Sequence, residues 1–276
     1  MSVAGSASVN LEHINGGAAN AGKSFSMGNQ LTFSGSGELD NGWSISFSHA
    51  IDGGLNDANS IAIDMGDAGS LTFAGLGGSG PVAANDDKMP SANEESWANS
   101  AGTKTAAATG ASGNNGFNYT LPELMENLSL EVYYLPSTAT SASSFEYGLT
   151  YTGIDGLSIY AAMGENNDQP TTGITGKSDL TAFAVTYAMG AITVGYQANE
   201  TDSGTANQDE DFTAIGVSYA VSDDLSVSYN VSEIDFESGT NDQEATGVSF
   251  SYTSGGMTIS GTHSTIDNVA GACLLY

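Results

Sequence analysis

Apolar and small polar residues alternate along most of this chain. In DDLSVSYNVS (223–232), Leu225, Val227, Tyr229 and Val231 share one parity, and serine or asparagine fills the positions between them. This period of two predicts a β-strand with one apolar and one polar face, because successive side chains point to opposite sides of a strand. By this criterion we count about fifteen strands. They lie near residues 3–13, 24–39, 43–51, 58–65, 70–75, 116–121, 128–135, 143–152, 156–165, 179–188, 191–200, 211–221, 225–236, 244–253 and 257–265.

The connections between these strands alternate between short and long. Tight turns are predicted at 40–42 and 222–224, whereas 166–178 and 201–210 are long polar segments, and we also class DGGLND (52–57) among the longer connections. Tight turns at one rim and longer loops at the other are typical of outer-membrane barrels. Several strands have the roughly ten residues that a tilted strand needs to cross a bilayer. The pattern therefore predicts an all-β fold, a transmembrane antiparallel β-barrel.

One segment interrupts the alternation. Residues 76–115 contain no clear strand, and AANDDKMPSANEESW (83–97) concentrates charge within them. A structureless segment of about forty residues is unusual in a compact domain unless it is functional. We therefore expect residues 1–276 to form a single barrel domain, with residues 76–115 as the third loop on the long-loop side.

The charge of the chain is strongly one-sided. It has 32 acidic residues, four lysines and no arginine, which gives a formal net charge of −28. This excludes nucleic-acid binding, because neutralising phosphates requires clusters of Lys and Arg. The same shortage argues against binding to an anionic lipid surface. The hydrophobic content of 39% argues against the disorder that acidic chains often show.

The cysteine content and the targeting signals of the chain say little about its cellular compartment. The only cysteine is Cys273, so an intramolecular disulfide is excluded. The residues after Met1 have neither the basic region nor the apolar core of a signal peptide. We therefore expect either a cytosolic chain or a mature form with an added start Met, and for an outer-membrane protein the leader would have been removed. No stretch has the roughly 18 apolar residues of a transmembrane helix, which does not exclude a barrel, because barrel strands have a weak hydropathy signal.

Aromatic residues with the apolar parity lie next to short turns. A ring with a polar tip suits the membrane–water interface, so these residues predict an interfacial girdle. They are Trp43, Tyr151, Tyr187, Tyr219 and Tyr229. In NVSEIDF (230–236), Glu233 takes the apolar parity instead. We expect either that Glu233 lies above the hydrocarbon layer or that a β-bulge redirects the strand there.

With these features the chain resembles the Gram-negative general porins, especially the acidic porins of marine alphaproteobacteria. The resemblance covers nearly the whole chain and rests on the strand count, the loop alternation, ANDDKMPSANEESW (84–97) in the third loop, and YAVSDDLSVSYNVS (219–232) across a periplasmic turn. It implies a homotrimer of sixteen-stranded barrels in the bacterial outer membrane, with residues 76–115 folded into the lumen as a constriction loop. It also implies passive diffusion of small hydrophilic solutes and ions, without catalysis or a cofactor.

The resemblance gives roles to the charged residues. The pore constriction would consist of Asp86, Asp87, Lys88, Glu94 and Glu95, with Lys88 paired to one of the acids. Strand parity adds five acids on the lumen wall, namely Glu12, Glu38, Asp64, Glu131 and Glu146. Because loop and wall carry the same sign, we expect a preference for cations, with small cationic or neutral solutes as permeants. We also expect a weak Ca²⁺ or Mg²⁺ site among Asp86, Asp87, Glu94 and Glu95, since hard cations bind clustered oxygen ligands.

Two features depart from the family pattern. Many general porins place arginines opposite the acidic loop, and this chain has none, which puts a transverse field across the constriction in doubt. NVAGACLLY (268–276) ends in the aromatic Tyr276 but is too short for a sixteenth strand. Either the chain is truncated there, or its N-terminal strand and this short C-terminal segment share the closing position.

Other functions have weaker support. An enzyme is not expected, because His13, His49 and His263 take the apolar parity and no nucleophile elbow, metal-spaced His pair or phosphate loop is present. A secreted acidic β-solenoid or adhesin would show a fixed repeat period, which this chain lacks. A substrate-selective outer-membrane channel is the stronger alternative, since Tyr133 and Tyr160 take the lumen parity and sugar-selective barrels line their path with aromatic tracks.

Overall fold

Fifteen strands form one antiparallel sheet in the computed structural model, which describes residues 1–15, 22–98, 110, 112–138, 142–167, 177–238 and 241–269. The strands of this sheet follow one another in chain order, as in a continuous meander. They are β1 (Ser2–Ile14), β2 (Gly22–Glu38), β3 (Ser44–Asp52), β4 (Leu55–Asp64), β5 (Ser70–Leu76), β8 (Gly116–Thr120), β9 (Leu128–Leu135), β10 (Ser144–Ile154), β11 (Leu157–Asn166), β12 (Ser178–Met189), β13 (Ile192–Ser203), β14 (Glu210–Ala220), β15 (Leu225–Phe236), β16 (Gln243–Ser254) and β17 (Met257–Asp267).

The segment between β5 and β8 contains the remaining short elements. Strands β6 (Gly78–Ser79) and β7 (Ser112–Gly113) form a separate two-stranded ladder, and helix α1 (Pro81–Asn85) follows β6. A 3-10 turn (Gly66–Ala68) lies between β4 and β5. No helix in the described ranges is long and apolar enough to cross a membrane.

Each of the fifteen predicted strands has a counterpart in the sheet, and the antiparallel order excludes a parallel β-solenoid. The prediction of a longer connection at 52–57 was wrong. Gly53 and Gly54, with φ of 55° and 84°, form a two-residue turn, so β4 already begins at Leu55. Two consecutive glycines with positive φ suit a tight hairpin, because such a turn matches the twist of the strands. The predicted closing segment, 268–276, lies almost entirely outside the described residues.

The outward face of the sheet changes character along the strands. At the long-loop end of β12 to β16 it carries acids, and toward the short turns it carries exposed Phe, Val, Ile and Tyr side chains. Glu233 belongs to the polar end, where its cross-strand neighbours are Thr213 and Glu244. The register of β15 is unbroken at this point, so the bulge considered from the sequence is absent.

The core of the molecule lies on the inner face, between the sheet and the segment that joins β5 to β8. Two buried residues of that segment, Met89 and Trp97, pack against side chains from the inner face of β12 and β14 to β16. These wall residues are Ala184, Phe212, Ala214, Ile234 and Ala245. A second cluster joins Val82 of α1 to Ala162, Leu180 and Ala182. The inner face of β10 to β17 therefore positions this segment inside the sheet.

Candidate pore constriction

The segment from residue 77 to residue 115 is here called loop 3, and its described residues 81–97 lie against the inner face of the sheet. It begins one residue later than predicted, because Leu76 still belongs to β5. Its described residues contact the wall in three places along the chain direction, first on β10, then on β13 and β14, and finally on β15 to β17. Each contact combines backbone hydrogen bonds with close packing on a wall glycine or a small wall residue.

The first contact fixes the start of α1. The Val82 N–H donates to Oε2 of Glu146 over 2.8 Å, and Val82 itself is fully buried. Gly148, two residues further along β10, lies under Pro81, and a Cβ at this position would overlap the Pro81 ring. The small size of Gly148 therefore permits α1 to lie directly on the strand.

The second contact holds the acidic part of loop 3. The buried Gln197 side chain accepts a hydrogen bond from the Lys88 N–H (2.8 Å) and donates one to the Asp86 carbonyl, which also accepts from Asn199 Nδ2 (2.9 Å). Pro90 lies over Gly195, where a Cβ would come within 2.5 Å of Pro90 Cδ. Two amide side chains of β13 thus fix the backbone on both sides of Asp87.

The third contact lies at the end of the first described stretch of the loop, residues 77–98. The Ser96 N–H donates to Oδ1 of Asn230 over 2.7 Å. The Trp97 ring meets the Phe212 ring edge-on, with centroids 5.2 Å apart, and Ile234 packs in the same cluster. This packing explains why Ile234 breaks the apolar parity of β15: it faces inward because it binds the loop.

Hydroxyl groups of the wall bind the backbone between these contacts. Ala92 N–H donates to Ser228 Oγ (2.9 Å), Asn93 N–H donates to Ser249 Oγ (3.2 Å), and Glu94 N–H donates to Thr262 Oγ1 (3.2 Å). The loop polar groups therefore find partners on the wall, as buried backbone groups require. The Asp87 and Glu94 side chains remain exposed.

The four predicted constriction acids lie on this stretch of loop 3. Asp87 and Glu94 are exposed, Asp86 is half-buried, and Glu95 is 8% exposed. Burial, together with the charge of Asp87, raises the pKa of Asp86 to about 7. Burial also raises the pKa of Glu95 to about 7, again with a contribution from Asp87. A side-chain hydrogen bond between Glu95 and Asp87 also raises the pKa of Glu95 and lowers that of Asp87.

The pKa values of the other two acids, Asp87 and Glu94, are raised for the same physical reasons. Partial burial raises the pKa of Asp87, although the hydrogen bond from Glu95 opposes the rise, and burial followed by the charge of Glu95 raises the pKa of Glu94. Charged carboxylates this close together repel one another. The cluster therefore carries less than its full charge near neutral pH.

The prediction that Lys88 pairs with an acid was wrong. No ion pair of Lys88 within 4 Å is present among the described residues. Its ammonium group instead lies 5.1 Å from the ring centroid of Tyr160 on β11. Such a cation–π contact satisfies Lys88 without neutralising Asp86 or Asp87 directly.

The predicted wall acids divide into three groups. Glu12 is exposed on β1. Glu38, Asp64 and Glu131 lie in one cross-strand row near the short turns, separated by hydroxyl residues. Glu146 departs from its predicted role, because it is 0% exposed and lies under loop 3 rather than lining the open lumen. A carboxylate covered by the loop contributes to loop position.

The predicted divalent-cation site is not supported. Within the described residues no group of three or more His, Cys, Asp or Glu side chains has an arrangement that could hold a metal ion. The constriction acids are spread along the loop, and the hydrogen bond between Asp87 and Glu95 brings only two carboxyl groups together.

All five predicted girdle residues have the outward orientation near short turns. Trp43, Tyr187, Tyr219 and Tyr229 are 37 to 45% exposed, and Tyr151 is half-buried. Tyr252 has the same placement and was missed. The sequence analysis also did not identify the wall side chains that hold the loop, Gln197, Asn199 and Asn230. The only sequence signal for these residues was their inward parity.

Comparisons with known proteins agree with this architecture. A family model described as Gram-negative porin matches residues 1–271. No curated protein sequence matches the chain. Among solved structures, an anion-selective porin from Comamonas acidovorans is similar over 96% of this chain and 89% of its own, with 14% identity and a TM-score of 0.72.

Two further solved structures have the same fold. A porin refined at 1.8 Å resolution is 16% identical over 96% of this chain and 94% of its own, with a TM-score of 0.68. A mutant of Rh. blastica porin is 17% identical over 98% of this chain and 95% of its own, with a TM-score of 0.66. The sheet thus corresponds to a transmembrane β-barrel, and the family match extends over nearly all of it. The chain belongs to the Gram-negative porin family, and it is a channel protein of the bacterial outer membrane rather than an enzyme.

Proposed function

We propose that this porin is a passive, cation-preferring diffusion channel in which loop 3 sets both the size and the sign of the pore. The observation that carries the proposal is the charge of loop 3 inside the lumen. Asp86, Asp87, Glu94 and Glu95 lie along its wall-bound stretch, and Lys88 is the one basic residue on the described part of the loop. Acidic side chains at a constriction favour cations.

The wall adds charge of the same sign. The row of Glu38, Asp64 and Glu131 alternates with Ser44, Ser70 and Thr120 across six neighbouring strands. A lumen with acids on both sides attracts cations over a distance of about 10 Å at 0.1 M salt. The related porin from Comamonas acidovorans is anion-selective by its description, but at 14% identity the likeness concerns the fold and not the lumen charge.

The observed position of the lumen tyrosines favours a general channel over a substrate-selective one. Tyr133 is 1% exposed and buried beside Glu146 and Gly116, and Tyr160 carries the Lys88 ammonium on its ring. Neither ring is free to stack on a passing sugar. Permeants of this channel are small cationic or neutral solutes.

The outward face of the barrel indicates which part of it contacts lipid. The apolar side chains between the acidic end and the short turns form the lipid-facing band, and Trp43, Tyr151, Tyr187, Tyr219 and Tyr229 form the girdle at its lower edge. Support for the band comes from the exposed Val, Ile and Phe residues of β12 to β17. Assembly as a homotrimer in the lipid bilayer completes the proposal, in keeping with the family.

Reversal potentials test the proposal. Purified protein is inserted into a planar bilayer with a tenfold KCl gradient, and a strong cation preference is expected. The variant Asp86→Asn, Asp87→Asn, Glu94→Gln, Glu95→Gln is expected to lose most of this preference with little change in conductance. The matched control neutralises the wall row, with Glu38→Gln, Asp64→Asn and Glu131→Gln, and is expected to shift the potential by less than about half as much because these charges are better screened. An unchanged potential in the loop variant would remove these four acids from the selectivity filter.

A further inference from the structure

Glu146 is a buried carboxylate in the wall of a water-filled channel, and its surroundings come from loop 3. It is 0% exposed, and its Oε2 accepts the Val82 N–H over 2.8 Å. An ionised group that is removed from water has to be stabilised by hydrogen bonds or nearby dipoles. The backbone of α1 supplies at least one of these at the point where loop 3 first meets the wall.

Both limbs of loop 3 meet at this carboxylate. Gly80 lies before α1, and a Cβ there would overlap Glu146 Oε2. Gly110 comes from the returning limb, and a Cβ there would lie 3.1 Å from Oε1 and 2.5 Å from the Ala83 nitrogen. The two oxygens of one carboxylate therefore face the two limbs of the loop. The β6–β7 ladder joins the same limbs further on.

The fit on the strand side is equally close. Gly164 of β11 lies beside Glu146, where a Cβ would come within 2.6 Å of Cγ, and Gly148 admits Pro81. Glycine at these four positions, 80, 110, 148 and 164, leaves room for one carboxylate between two strands and two loop limbs. Among the buried charged residues of the described wall, Glu146 is fully buried and Glu210 on β14 is 7% exposed.

We propose that Glu146 is a positioning residue that holds the entering and returning limbs of loop 3 against β10 and thereby sets the width of the pore. The inference rests on the proposed function, because it takes loop 3 as the constriction. It separates two roles that sequence parity cannot distinguish: Glu146 controls the size of the pore, whereas the exposed acids control its sign.

The test measures single-channel conductance and the exclusion size for polyethylene glycols, together with the reversal potential. Glu146→Ala removes the acceptor, and the loop is expected to move away from the wall, with roughly a 1.5-fold to 2-fold change in conductance and an altered exclusion size. Glu146→Gln keeps an oxygen that accepts the Val82 N–H, and it is expected to restore the wild-type exclusion size. Glu38→Ala is the matched control, because it removes an exposed wall acid near the short turns of β2, and its exclusion size is expected to stay unchanged.

A second variant keeps the test decisive if Glu146→Ala does not form channels. Gly80→Ala alters the same contact from the loop side without changing charge, and it is expected to change the exclusion size in the same direction. Unchanged exclusion sizes in both Gly80→Ala and any channel-forming Glu146→Ala would overturn the inference, as would a Glu146→Gln variant that behaves like alanine. A wild-type channel without cation preference would contradict the proposed function instead, and the exclusion sizes would still decide the role of Glu146.

Discussion

The two halves of the lumen wall have the same alternating sequence pattern but differ in what covers them. On β1 every residue except Ile14 is exposed, on both faces. On β12 the inward residues Ser178, Leu180, Ala182 and Ala184 are buried, and the residues between them are exposed. The described part of loop 3 accounts for the burial on β12, because Val82 packs with Leu180 and Ala182, and Met89 lies in the cluster that contains Ala184. β1 is the first strand in the order of the sheet, where it pairs with β2. On β12, burial of the inner face therefore reflects contact with the loop.

The same comparison separates two uses of small residues. We call the wall from β10 to β17 the covered half and the wall from β1 to β4 the open half. On the covered half, Gly148, Gly195 and Gly247 lie directly under Pro81, Pro90 and Ser96 of the loop. On the open half, the inward serines of β2 and β3 face the lumen and keep it wide and polar. Small inward residues therefore serve loop docking in one half and solute passage in the other.

A glycine exchange tests this comparison with the largest expected effect. Gly195→Ala places a methyl group 2.5 Å from Pro90 Cδ, whereas Gly28→Ala on the open half meets only the Ser8 hydroxyl, which can rotate. Overpacking costs about 1–3 kcal/mol, so Gly195→Ala is expected to lower the free energy of unfolding by this amount. Gly28→Ala is expected to change it by less than about 0.5 kcal/mol. Urea unfolding in detergent micelles measures both, and equal losses would mean that the loop does not press on Gly195.

The acidity of the covered half gives the second prediction, which concerns pH. The pKa values of Asp86 and Glu95 are about 7, so these acids lose charge as the pH falls through 7 and the cation preference is expected to fall with it. Between pH 8 and 6 each group passes from mostly charged to mostly neutral. Reversal potentials at these two pH values measure the change. Asp86→Asn with Glu95→Gln is the matched variant and is expected to reduce the pH dependence; an equally steep dependence there would assign it to other groups.

The stability of the protein is expected to change in the opposite direction. For Asp86 and Glu95 the folded pKa of about 7 is higher than the ordinary values of 3.8 and 4.5. Between the ordinary and the raised values the folded protein binds more protons than the unfolded chain, so stability falls as the pH rises through this window. Acid therefore stabilises the docked loop and weakens the cation preference at the same time.

Most of the sheet could be predicted from sequence because alternation with a period of two is a local signal. Each predicted strand exists, and the one wrong connection, at 52–57, failed because the Gly53–Gly54 pair was taken as part of a loop instead of a tight hairpin. Inward parity also placed Glu146 on the correct face. Parity could not show that Glu146 is covered, because the cover comes from residues more than sixty positions earlier in the chain.

The site was harder to predict than the fold for the same reason. The acids of loop 3 stand out by composition, but the side chains that hold them, Gln197 and Asn199, look like ordinary lumen residues of β13. Ile234 did give a signal, since its inward parity broke the pattern of β15. An apolar residue on the polar face of a barrel strand is a useful marker of loop docking, whereas an amide there is not.

The variant Lys88→Met is expected to have the smallest effect on stability and selectivity. It tests whether a single charge on the covered half acts at the constriction. Lys88→Met removes the positive charge that lies over the Tyr160 ring, and the loss of a cation–π contact of this kind is expected to cost no more than about 1 kcal/mol of stability. The cation preference is expected to rise slightly, because Asp86 and Asp87 lose the cation that lies nearest to them on the described part of the loop. Lys177→Met is the matched control, since Lys177 is exposed and already paired with Glu165 at 2.7 Å, outside loop 3. Reversal potentials that shift equally in the two variants would mean that Lys88 acts only through net charge; a shift confined to Lys88→Met would place its effect at the constriction.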